Sequence, residues 1–204
     1  MAKQRGAIRD RASLNETARQ VYEDGLSSLA IIDIVENANS PAVVNGINQI
    51  GVSSTLSLLA SAAISWLLMV QVRAYSEVTR EDDRNLHAAI LYLKSPNAIE
   101  SYPLSEQRLR LSKAVQLFDA ALGDNRLKRL KRMRDKHIAH MAAYDFVGGP
   151  TYNELYEFTK LTSSICEHLA YGTGTMAVAM EQQMLAHRRS AQLFWSKFIT
   201  PTEA

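Results

Sequence analysis

An all-α fold, a helical bundle of long helices with a C-terminal helical extension, is predicted by three observations. Apolar residues recur at three- and four-residue spacing along most of the chain, and no segment alternates with the period of a strand. Nine Gly and five Pro among 204 residues allow few turns, so the elements must be long. Helix-start signatures, Ser or Thr with an acid three residues on, occur at Ser13 with Glu16, Thr79 with Asp82 and Thr151 with Glu154.

The length suits one core, so residues 1–204 are read as a single domain. Composition is ordinary for a globular protein, at 47% hydrophobic and 22% charged, and the net charge of +2 points to no partner by itself. One cysteine, Cys166, excludes an intrachain disulfide framework and suits a reducing cytoplasm. The basic N-terminus is followed by no apolar stretch, so a secretory signal is not expected and the location is read as cytoplasmic.

Residues 1–12 are polar and expected to fray. The first helix should start at Ser13 and run through Val21, Leu26, Leu29, Ile32 and Val35 to about Asn37. Ser40 and Pro41 then open another, as cap and first helical residue. From Asn37 to Val72 there are 36 positions without a charge, and residues 55–72 are nearly long enough to span a bilayer. A row of small polar groups (Ser57, Ser61, Ser65), the preceding Asn45, Asn48 and Gln49, and a charged continuation over 73–78 argue against a span. A buried central helix or a dimer interface is expected instead.

Thr79 should start a short helix through Leu86, Ile90 and Leu93, ended by Pro96. Ser105 should cap the next, with Leu109, Leu111, Val115, Leu117, Phe118 and Leu122 as its apolar set. Gly123, Asp124 and Asn125 mark a break. Thr151 should start a helix through Leu155, Phe158, Leu161, Ile165 and Leu169, interrupted at Gly172 and Gly174. The extension, residues 175–204, carries Met176, Met180, Met184, Leu185, Phe194 and Trp195 and is read as docking on a partner. A methionine row at this spacing is core more often than a cofactor site.

The most informative stretch is residues 126–144. Seven basic residues and one acid, Asp135, fall within the eleven positions from Arg126 to Lys136, and His137 and His140 follow. Leu127, Leu130, Ile138 and Met141 give one side to the core, and Arg126, Arg129 and Arg132 face solvent. Arg134 sits at the edge of the packed face beside imidazoles, where a guanidinium needs an anionic partner. A charge-rich helix is most often only a solvated face. His137 and His140 alone make a weak metal signature, and no HExxH, CxxC, GxSxG or Gly-rich phosphate loop accompanies them, so no metal or cofactor is assigned.

Arg134, Asp135, four more residues and then His140, with Ala139 before it, resembles the motif of the HEPN superfamily of helical nucleases, in its abortive-infection branch. The resemblance covers roughly residues 10–172. It implies a HEPN-like helical bundle and a metal-independent endoribonuclease, acting as a homodimer in phage defence or toxin-type growth arrest. Under it, His140 is the proton-transfer residue and Arg134 the phosphate clamp, with Asp135 and His137 in support. Arg126, Lys128, Arg129, Lys131 and Arg132 would track the RNA backbone. An antitoxin or other regulatory protein is a further partner class. The subgroup silenced by adenylylation carries Tyr two residues after the motif His; Ala142 stands there in this chain. The alternative readings are a catalytically silent module that binds nucleic acid or nucleotide, and a structural or membrane-associated helical protein.

Overall fold

The computed structural model describes residues 8–80, 83–139 and 150–199, with the backbone alone at 137–139. Helix α1, Arg11–Ala38, is capped by Asp10, whose Oδ1 accepts from the Ser13 amide at 2.7 Å. The helix therefore begins before the Ser13 signature, because an aspartate ahead of that serine already satisfies the free amide. Ile8 is buried, so the fraying expected over 1–12 does not hold for residues 8–12.

Helix α2, Pro41–Gln49, follows Ser40 and has Pro at its first position, as expected. It is separate from α3, Ser53–Ala74, because Gly51 takes φ +73°, a left-handed turn that ends one helix and re-aims the next. Helix α3 stops at Ala74 rather than continuing through 78; Tyr75 leaves helical geometry and buries its ring. Helix α4, Leu86–Leu93, starts at Asn85, whose side chain accepts from the Ala88 amide at 2.8 Å. Thr79 does not open that helix. Its amide and that of Arg80 donate to Asp83, in a turn of its own.

Helix α5, Ser105–Leu122, and helix α6, Asn125–Met133, are separated at Gly123 and Asp124 as predicted. The chain continues from α6 as a π-helical segment, Arg134–Ala139. Helix α7, Tyr152–Thr173, has the predicted capping box. The Glu154 amide donates to Thr151 Oγ1 (3.1 Å), and the Thr151 amide donates to Glu154 Oε2 (3.0 Å). Gly174, at φ +75°, ends α7. Helix α8, Met180–Trp195, and a 3-10 turn, Ser196–Phe198, complete an all-α chain without a strand among the described residues.

Helix α7 is the centre. It packs against α1 and α5, while α3 and α6 lie against other parts of it. Its buried row includes Leu155, Phe158, Ile165, Cys166 and Leu169. Gly172 lets α5 come close, since a Cβ there would meet the Leu111 side chain at 2.6 Å. Tyr75 stacks on Phe118 (centroids 5.0 Å apart), leans on Phe158 (5.2 Å) and shares a hydrogen bond with Thr162 Oγ1 (3.1 Å). Burial drives the Tyr75 hydroxyl pKa upward, so it stays neutral. The same cause raises the Cys166 thiol and leaves it a core residue without thiolate character.

The described part of the extension docks on its own chain: α8 lies along α1 with Met180 and Met184 buried. Tyr22 explains why. Its hydroxyl donates to the Val178 carbonyl and accepts from Gln183 Nε2, both at 2.8 Å. Arg188 adds an ion pair to Asp33 at 3.1 Å.

Helix α3 departs most from a buried central helix. Its inner side places Ile64, Leu67, Leu68 and Val72 in the core, but its outer side is open. By length and composition alone it is long and apolar enough to cross a membrane, and 33% of its apolar window is buried.

Candidate functional site

The basic helix is positioned by two leucines and two acids. Leu127 and Leu130 are fully buried and fix which side of α6 faces the core. Asp124 caps the helix through the Arg126 amide (2.7 Å) and also grips the Arg126 guanidinium, with contacts of 3.0 Å to Nε and 2.6 Å to Nη2. Those hydrogen bonds hold the Asp124 carboxyl below its usual range. Arg126 lies over the Phe158 ring at 5.8 Å. Arg129 is half-buried and ion-paired to Glu154, the acid of the α7 capping box. Two of the three arginines read as solvent-facing are thus tied down by acids. Lys131 reaches the Tyr75 carbonyl at 3.3 Å. Lys128, Arg132 and Lys136 are exposed. Lys131 and Arg132 also sit in the last turn of α6, where positive charge complements the helix dipole whatever else it does.

The Arg129–Glu154 pair has a consequence for the motif. It joins α6 to the first turn of α7, the two helices that bracket residues 140–149 in sequence.

Arg134 opens the π-helical segment and is half-buried, at 30% side-chain exposure. Its Nε donates to Asp135 Oδ1 at 2.5 Å. A guanidinium has five N–H donors in a planar fork, so this contact leaves the Nη edge for a further anion. A π-turn, with i→i+5 bonding, is rare and tends to occur where a helix has been re-aimed for a purpose. Each residue turns through a smaller angle than in an α-helix. The roughly 240° that α-geometry sets between residues six apart therefore does not carry over to this segment. His140 and Met141 lie outside the described residues, and at His137 and Ile138 only the backbone is described. The structure therefore brings together Arg134, Asp135 and the basic helix, and leaves both motif imidazoles without a described position.

A third histidine, missed in the sequence, lies close to this helix. His87 Nδ1 is 3.1 Å from the Ser76 carbonyl, next to the Tyr75 carbonyl that Lys131 contacts. With Nδ1–H donating to that carbonyl, the lone pair is left on Nε2. The ring packs at 5.4 Å on Phe118. Burial lowers the His87 pKa, opposed by the Ser76 contact and Glu77 and reinforced by Lys131 and Lys94. Only the fold puts His87 near Lys131, so no local signature could have shown it.

Among the described residues no three His, Cys, Asp or Glu side chains converge as a metal-ligand set. An apolar groove of about 270 Å³ lies at another end of the molecule, between α1, α3 and α8, with Leu56, Leu59, Phe194 and Trp195 in its walls. Compared with known proteins, the chain matches no family model, no curated protein and no solved structure.

Proposed function

We propose that this chain is a metal-independent endoribonuclease of HEPN type that acts as a dimer, in phage defence or toxin-type growth arrest. The observation that carries the reading is Arg134. A half-buried guanidinium whose Nη edge has no partner among the described residues, set on a π-helical turn at the end of a basic helix, suits the holding of a phosphate. The RNA 2′-oxygen attacks the adjacent phosphorus, and a base removes its proton. The bond from phosphorus to the 5′-oxygen breaks as an acid protonates that oxygen, leaving a 2′,3′-cyclic phosphate. Arg134 stabilises the charge on the non-bridging oxygens, and Asp135 holds the guanidinium in register. His140 is the proton-transfer residue. One histidine serves one side of the phosphorus, so a second chain supplies the other across a two-fold axis.

With Arg126 and Arg129 paired to acids, the RNA track is narrower than the sequence suggests and centres on the exposed Lys128. Arg134→Ala and His140→Ala should each abolish cleavage of mixed RNA while far-UV circular dichroism stays unchanged. A mixed dimer of wild-type and His140→Ala chains should fall well below half the wild-type rate. Full activity in His140→Ala would overturn its role as the proton-transfer residue, and no cleavage by the wild type would leave the binding-module reading.

A further inference from the structure

The groove between α1, α3 and α8 owes its shape to a residue spacing and an aromatic cluster. Leu56, Leu59, Ala60 and Ala63 recur at three- and four-residue steps and make one stripe of α3 into a wall. From Leu56 to Ala63 that stripe runs about 10 Å along the helix axis. Ala60 and Ala63 leave a channel that larger side chains would have filled. A second wall is aromatic. Phe194 stands edge-on to Trp195 at 4.8 Å, and Phe198 lies 5.7 Å from Trp195. Leu59 and Phe194 are each more than half exposed, so the groove opens to solvent.

The lining is hydrocarbon and aromatic carbon apart from Thr55. The Trp195 Nε1 is itself covered, so the indole offers carbon to the groove. A nucleotide or a peptide backbone placed there would lose its water and find almost no hydrogen-bond partner. The volume of about 270 Å³ lies just below the ~300 Å³ at which small-molecule pockets ordinarily begin. Apolar spaces of this size hold water poorly and take apolar ligands. A slender alkyl chain meets both limits.

Charge selects the end group. No charge occurs from Asn37 to Val72, and from Gln182 to Ile199 every charged residue is basic: Arg188, Arg189 and Lys197. Arg188 is tied to Asp33 and Glu181. Lys197 is different. It lies in the turn Ser196–Phe198, next to the Phe198 of the groove, is exposed and has no acid partner among the described residues. The acids at this end of α1, Asp33 and Glu36, line a neighbouring polar pocket with Lys160 instead. An anion is favoured at the rim and a cation is not.

We propose that this groove binds a free fatty acid, with the alkyl chain between α3 and the aromatic wall and the carboxylate at Lys197. The site shares no residue with that of Arg134 and does not rest on RNA cleavage.

The test is fluorescence of the full chain carrying Trp66→Phe, which leaves Trp195 as the sole tryptophan. Bromodecanoic acid, below its micelle concentration, should quench Trp195 saturably, and decanoate should displace it. From octanoate to decanoate, affinity should rise about fourfold per methylene. Decanol should bind more weakly than decanoate, and Lys197→Gln should remove that difference. Ala60→Phe should fill the groove and abolish quenching with helix content retained. Leu59→Asp, at an exposed position of the wall, does the same work should Ala60→Phe fail to fold. Absence of saturable quenching overturns the proposal, as does quenching that both wall variants leave intact. Quenching by brominated phosphatidylcholine vesicles but not by the free acid would assign the surface to a bilayer and overturn it too. Equal affinity for decanol and decanoate in the wild type would overturn the role of Lys197.

Discussion

Helices α3 and α7 are both 22 residues long, and the more apolar of the two is the less buried. Helix α7 carries Glu154, Glu157, Lys160, Glu167 and His168, yet it runs through the centre with α1 and α5 on its flanks. Helix α3 has no charge before Arg73, yet buries one side only, and that mostly in its second half. Burial follows the arrangement of apolar residues more than their number. Helix α7 gathers its charges on one stripe and uses small residues, Ser163, Ala170 and Gly172, where neighbours come close. Helix α3 holds its serines in one row and carries no charge before Arg73, so its outer side offers water only small hydroxyls between large apolar groups.

The largest effect that separates the two helices should come from truncating their aromatic and aliphatic anchors. Phe158→Ala in α7 removes a fully buried ring and should cost about 3–5 kcal/mol in chemical denaturation. Leu58→Ala in α3, at a side chain 71% exposed, should leave unfolding within about 0.5 kcal/mol. Comparable losses of monomer stability would erase the distinction between core and outer face.

A middle-sized effect concerns acid. Burial lowers the pKa of His168, on α7, and nearby Arg110 and Lys113 lower it further; burial also lowers His87. A depressed histidine favours the neutral fold. Its contribution is therefore complete above the unfolded value of about 6.5 and is lost as pH falls through the folded value. Thermal midpoints should drop between about pH 7 and pH 5, with a smaller drop in the double variant His87→Gln, His168→Gln. Helix α3 has no titratable group before Arg73 and so adds nothing to that pH dependence. The smallest effect is Thr151→Ala, which removes the α7 cap and should cost about 1 kcal/mol, seen as a modest shift in the denaturation midpoint.

The two helices also mark how far the sequence could be read. The Thr151 capping box and the break at Gly123 were legible because a cap is local chemistry between residues three apart. The starts at Asp10 and Asn85 were not, since a second capping residue lay close to the one that the pattern favoured. The exposure of α3 was not legible either, because hydropathy along one helix carries no record of what covers it. At the candidate site, Arg134 and its Asp135 partner could be read from adjacency. Three facts there could not: the Asp124 grip on Arg126, the Arg129–Glu154 tie and the approach of His87 to Lys131. Each joins the basic helix to residues that its own periodicity does not mention.

The most direct test of the functional reading is incubation of the purified protein with mixed RNA in excess chelator, with Arg134→Ala alongside. Wild type should cleave and leave 2′,3′-cyclic phosphate ends, and Arg134→Ala should be slower by about a hundredfold or more. Activity that chelation abolishes and a divalent ion restores, or an Arg134→Ala protein that cuts at the wild-type rate, would contradict it.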